Sequence, residues 1–175
     1  MKKKTLVLVL TLVLVLAVGA AGTVAWLTST PDSLINTFTI GSLSISVEEP
    51  SWIEDSKLYP GVEIAKDPTV TVAADSEKCY VFMQVEVGSD LAAIADLNYD
   101  TTDWTALSGV SGVYYQVVDA STTATELTPL FTTVTVDTAA GNDAIDAAAD
   151  DDITVTAYAI QYAGFADAAA AWAEF

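Results

Sequence analysis

The sequence predicts an all-β fold: a jelly-roll-like antiparallel β-sandwich with a short C-terminal amphipathic helix, preceded by a cleaved signal peptide. Three observations carry that expectation. Apolar and polar residues alternate at period two over six separate stretches rich in Val, Thr and Tyr, the mark of strands with one face toward a core. Long connections holding Pro, Gly, Asn and Asp separate those stretches, and these residues supply turn geometry. Only near the C-terminus does the apolar period lengthen to that of a helix.

The chain opens with Met1-Lys2-Lys3-Lys4, continues as an almost unbroken apolar run from Thr5 to Gly22, and reaches the small-residue junction Thr23-Val24-Ala25 before Trp26. A basic n-region, an apolar h-region and a small residue at the cut form a secretory signal, so cleavage is expected between Ala25 and Trp26. The rival reading is a retained anchor, since Thr5 to Pro31 carries no charge and roughly 20 apolar residues suffice to span a bilayer. The Leu/Val block proper covers only Leu6 to Val18, and the Gly/Ala-rich segment behind it has no flanking charges. Cleavage without stable membrane insertion is therefore the reading adopted. The expected organisation is a signal peptide at 1–25 and one sandwich domain at 26–175, in which 26–35 is a flexible N-terminal segment.

The first strand is expected over Thr37 to Glu48. Phe38 and Ile40 are apolar at even positions, whereas Leu43, Ile45 and Val47 are apolar at odd ones. An inserted residue at Gly41-Ser42 would return both sets to one face, so a bulge or sharp bend is expected there. Further strands are expected at Thr69 to Ala73, Cys79 to Val87, Val113 to Val118, Leu130 to Asp137 and Ile153 to Gln161. Loops are expected at 50–68, 89–112, 120–129 and 138–152. Behind Gly164, the spacing of Phe165, Ala168, Ala169, Trp172 and Phe175 predicts a short helix lying on the sandwich as a lid. Many short strands with long connections favour jelly-roll connectivity.

Charge narrows the function classes. The chain has 6 Lys and Arg against 24 Asp and Glu; three lysines lie in the leader and every acid lies after it, so the segment from Trp26 carries −21. Such a surface repels phosphate backbones and anionic lipid headgroups, which speaks against nucleic-acid binding and polybasic membrane docking. The single Cys, Cys79, excludes an intramolecular disulfide; its place in an apolar alternation suits a small buried hydrophobe.

Catalysis is poorly supported. There is no His, so neither a His-ligated zinc protease site nor a Ser-His-Asp triad can be built. Lys57, Lys66 and Lys78 have no nucleophile motif around them, and no enzyme activity and no cofactor are expected. Asn142, Asp143, Asp146, Asp150, Asp151 and Asp152 gather hard oxygen ligands suited to weak divalent-cation binding, but their spacing fits no established calcium loop, and a solvated acidic loop is the simpler reading. Trp52, Trp104 and Trp172, with Tyr114 and Tyr115, suggest a sugar-stacking platform or, more simply, core and lid packing.

The junction Gly22-Thr23-Val24-Ala25-Trp26-Leu27-Thr28, followed by Asn36-Thr37-Phe38-Thr39-Ile40-Gly41-Ser42-Leu43-Ser44-Ile45, resembles the start of TasA/camelysin-type proteins of Gram-positive bacteria. Similarity continues through Leu58-Tyr59-Pro60-Gly61, Lys66-Asp67-Pro68-Thr69-Val70, the Cys79-to-Val85 strand, Pro129-Leu130-Phe131-Thr132 and Ile153 to Gln161. The resemblance implies export through a SipW-type signal peptidase. It further implies a secreted jelly-roll subunit of extracellular matrix or cell-surface fibres, a homo-oligomer in which the freed N-terminal segment of one subunit completes the sheet of the next. On this chain that donor segment would be Trp26 to Ile35, presenting Trp26, Leu27, Leu34 and Ile35. Read from the residues, the same segment is equally a first strand of its own domain or an unstructured tail. The competing function is a monomeric cell-surface module that binds carbohydrate or protein without polymerising.

Overall fold

The computed structural model describes residues 41–54 and 56–175, together with Lys3. The chain divides into two units, Met1–Phe38 and Thr39–Phe175, and every described residue except Lys3 belongs to the second. The leader apart from Lys3, the Ala25–Trp26 cut, the assembly residues Trp26, Leu27, Leu34 and Ile35, and the Phe38–Ile40 half of the first expected strand lie outside the described residues.

The second unit is all-β in character. Its strands are β1 (Ile45–Glu48), β2 (Glu63–Ala65), β3 (Thr69–Val72), β4 (Cys79–Val87), β5 (Ala95–Leu97), β6 (Thr105–Ala106), β7 (Val113–Val118), β8 (Thr125–Glu126), β9 (Thr133–Val136) and β10 (Ile153–Gln161). Among its described residues three short helices accompany them: α1 (Ser89–Ala92), α2 (Asn142–Ala148) and α3 (Ala168–Trp172). The ladders between these strands are antiparallel.

One layer is the sheet β10-β4-β7-β6. β4 lies at its heart because both faces of its sequence are apolar. Cys79, Val81, Met83 and Val85 enter one buried cluster, while Tyr80 and Phe82 enter another on the opposite face. The facing layer comprises β1-β3-β8 and β2-β9-β5. These two small sheets are nearly continuous. The stretch from β2 to β3 runs antiparallel to the stretch from β8 to β9, and the bonds Lys66 N to Thr132 O, Leu130 N to Pro68 O and Leu127 N to Val70 O bridge the interruption. Pro68 has no N–H to donate, so the ladder breaks at that point. The principal core, holding Val70, Val72, Trp104, Leu127, Leu130, Phe131 and Val134, lies between the layers.

The second cluster lies outside this core. α3 packs on the outer face of β4 and β7, where Ala168 and Ala171 meet Tyr80, Phe82, Leu107 and Val113. Asp167 caps the helix, its carboxylate accepting from Ala170 N at 2.8 Å, which satisfies one of the otherwise unpaired N–H groups of the first turn. The expected C-terminal lid is present.

Several expectations need correction. The expected strand 130–137 shortens to β9, because Leu130 and Phe131 turn into the core and are almost wholly buried. The connections expected as loops contain β2, α1, β5, β6, β8 and α2. Most of these elements are two to four residues long, too short to carry a period. The acidic loop at 138–152 is in part the helix α2, whose Ala-rich composition favours helix without drawing an apolar stripe. At the expected bend, Ser42 forms an isolated parallel bridge with Ser76, and its hydroxyl donates to Asp75 O at 2.8 Å. The regular ladder with β3 begins at Ile45.

Candidate functional site

β10 is a nine-residue strand on the rim of its sheet. Among the described residues its only ladder is with β4, from Ile153↔Val87 to Gln161↔Cys79, which leaves its outer N–H and C=O groups unpaired there. An edge of this length is a template for an added strand. Its core-facing residues Ile153, Val155, Ala157 and Ala159 are only partly buried. Across the seam, Leu43 and Ile45 reach the same core from the other layer and are likewise only partly buried.

The sequence explains why the seam is hollow. At its C-terminal half, β10 presents alanine where Val or Ile would fill the space. A groove of about 640 Å³ results, lined by Leu43, Ile45, Ala157, Ala159, Phe165 and Phe175 among others. Tyr158, on the opposite face, packs edge-on against Trp172 at 5.2 Å between ring centroids, so the lid buttresses the strand from outside.

A second cavity, of about 240 Å³, lies at the N-terminal end of β10. Its walls include Leu58, Ile64, Leu91, Val134 and Ile153, with Trp52, Asp151 and Asp152 also lining it. Lys66 enters the wall with its ammonium donating to Glu49 Oε1 at 2.7 Å and Oε2 at 2.8 Å. The Trp52 ring stands over that ammonium, 4.9 Å from its centroid, a cation–π arrangement. Asp151 is partly committed, because its Oδ2 accepts from Asp90 N at 2.8 Å and Leu91 N at 2.9 Å. This carboxylate holds the start of α1, which has no side-chain cap of its own.

The remaining sequence candidates do not converge. Among the described residues no group of three or more His, Cys, Asp or Glu is placed to hold a metal ion. Trp104 is buried and donates through Nε1 to Thr128 O at 2.8 Å. Tyr114 stacks on Tyr99 at 4.7 Å, Tyr115 lies against Phe82, and Trp172 packs with Phe82 and Phe175. Tyr115 and Trp172 thus share the outer cluster beneath the lid, while Trp104 and Tyr114 serve the inner core and Trp52 the smaller cavity. Cys79 is a free, buried thiol whose pKa burial pushes up. Lys78 lies 2.8 Å from Asp119, and that hydrogen bond holds its pKa above the usual lysine value. No described helix is long and apolar enough to cross a membrane.

The sequence reading placed assembly on the N-terminal segment and named no acceptor for it. The missed signal is the Ala157/Ala159 pair, which marks a strand whose core face is underfilled. No family model, curated protein or solved structure matches the chain.

Proposed function

We propose that this chain is a secreted structural subunit of extracellular matrix or cell-surface fibres, in which the Trp26–Ile35 segment of one copy adds as a strand to another. The edge of β10, which has no second ladder among the described residues, beside its apolar groove supports this reading most directly. Strand addition draws affinity from main-chain hydrogen bonds and specificity from pockets for alternate side chains, and the seam offers both. Ten extended residues reach roughly 30 Å at about 3.3 Å per residue, comparable to the edge of β10. Pro31 is tolerable in a strand that forms the new edge of a sheet.

A jelly-roll arrangement fits the same picture. If the β2–β3 stretch and the β8–β9 stretch each count as one strand, two four-stranded layers face each other, and the donated strand lies at the rim where β1 and β10 part. The resemblance to TasA/camelysin-type proteins points the same way, as do the leader and the −21 charge after it.

The test compares sedimentation and electron microscopy of the chain from Trp26 with those of the chain from Asn36, using circular dichroism as the folding control. Fibres from the first and a folded monomer from the second are expected. Equal polymerisation by both would exclude this segment as the donor, and no polymer from either would leave the monomeric binding module as the better reading.

A further inference from the structure

We infer that the 240 Å³ cavity at the start of β10 is an anchor pocket for the N-terminal Trp26 of a second copy, seating its indole within the walls and its α-ammonium beside Asp151 and Asp152. This rests on the fibre-subunit reading and adds to it a polarity and a fixed register.

Spacing is the first argument. The segment Trp26-Leu27-Thr28-Ser29-Thr30-Pro31-Asp32-Ser33-Leu34-Ile35 has an apolar pair at each end and polar residues or proline between. The rim of β10 has the matching layout. One cavity includes Ile153 at the start of the strand, and the other includes Ala157 to Gln161 at its end. The eight residue steps from Ile153 to Gln161 cover roughly 26 Å, as do the eight from Trp26 to Leu34. With Trp26 at Ile153, Leu34 arrives beside Gln161 at the far end of the groove, and Ile35 follows one residue beyond.

Chemistry sets the direction. The cation in the smaller cavity, Lys66, is already held by both oxygens of Glu49. Asp152, and Asp151 through the oxygen that does not already accept from Asp90 N and Leu91 N, are therefore the charges left to meet an occupant. An indole next to a cation suits apolar walls beside carboxylates, and the first residue of the cleaved chain carries both groups. Leu34 carries no charge and suits the end of the apolar groove. The donated strand consequently runs parallel to β10, from Ile153 toward Gln161. Aromatic anchors in desolvated pockets commonly dominate the energy of such interfaces.

The experiment uses the full chain from Trp26 and measures the protein concentration at which polymer first sediments. Trp26→Ala removes the anchor, Nα-acetylation removes its charge, and Ala149→Trp plugs the pocket from an exposed position on its lining. Asp152→Asn, also at an exposed position, is the milder acceptor variant, and circular dichroism confirms each fold. Trp26→Ala and Ala149→Trp should each raise the threshold by about tenfold or more, as expected for losing a hot-spot residue. Acetylation and Asp152→Asn should each raise it less. If Ala149→Trp fails to fold, Asp152→Asn decides the acceptor side. Unchanged thresholds for the folded variants, with fibres still forming, would overturn the anchor and leave strand donation standing. A raised threshold from Trp26→Ala with none from the acceptor variants would place Trp26 elsewhere and overturn it too. Absence of polymer from the unmodified chain would instead bring down the fibre reading itself.

Discussion

Lys66 shows how one residue ties a cavity to the stability of the fold. It is only 7% exposed, its charge is met by Glu49, and the Trp52 ring covers its ammonium. Lys66→Ala should cost about 2 kcal/mol, read as a lower urea midpoint. Breaking a buried pair costs more than that, but Glu49 retains some contact with water to recover solvation. Lys66→Met combined with Glu49→Leu should recover much of the loss, because burying the pair is itself expensive. Tyr99 supplies a test in alkali. Burial, with a smaller contribution from Tyr114, pushes its phenol up to about 12. The unfolded chain ionises this group near pH 10 while the folded chain does not, so stability falls as pH rises from about 10 to about 12. Burial also raises Tyr80 and Tyr114, so a spectrophotometric titration should show late-ionising tyrosines, and Tyr99→Phe should remove one of them and flatten that part of the stability profile. The role of Cys79 was legible in the sequence, since alternation placed it among core residues. The Lys66–Glu49 pair was not, because nothing local signals a contact across 17 positions.

Among the elements, those with a sustained period were legible and those without one were not. β4, β7 and β10 have the bounds that alternation gave them, since each is six to nine residues long. α1 is a helix of four residues, and what fixes it lies 60 positions away in Asp151. Gly88 shows how tight that clamp is. A Cβ there would collide with the Asp151 side chain, although the backbone of Gly88 has an ordinary φ of −53°. Gly88→Ala should therefore displace the carboxylate and cost about 1–3 kcal/mol through crowding and the lost cap. Thermal unfolding would read the loss, and hydrogen exchange should quicken first at Asp90 and Leu91. Gly112 is constrained differently. Its φ is +74° and a Cβ there would run into Val85 O, so the turn entering β7 admits glycine alone at little cost.

At the scale of the whole molecule, the all-β class and the lid were legible, while the division of one layer at Pro68 and the hollow rim of β10 were not. Both depend on which strands meet, and periodicity does not report that. Charge acts at this scale as well. With −21 on the chain from Trp26, copies repel at low ionic strength, and salt screens that repulsion within a Debye length of about 8 Å at 0.15 M. Added salt or divalent cations should lower the concentration needed for polymer, measured by sedimentation across a salt series. β4 has a different bearing on the whole. Because its two faces belong to two separate clusters, its amides are freed only when both give way. Under native-state hydrogen exchange β4 should report the global opening free energy, whereas α3 and the outer cluster open at lower cost. The chain would then shed its lid while keeping the inner sandwich, and β4 would be the last strand to let go.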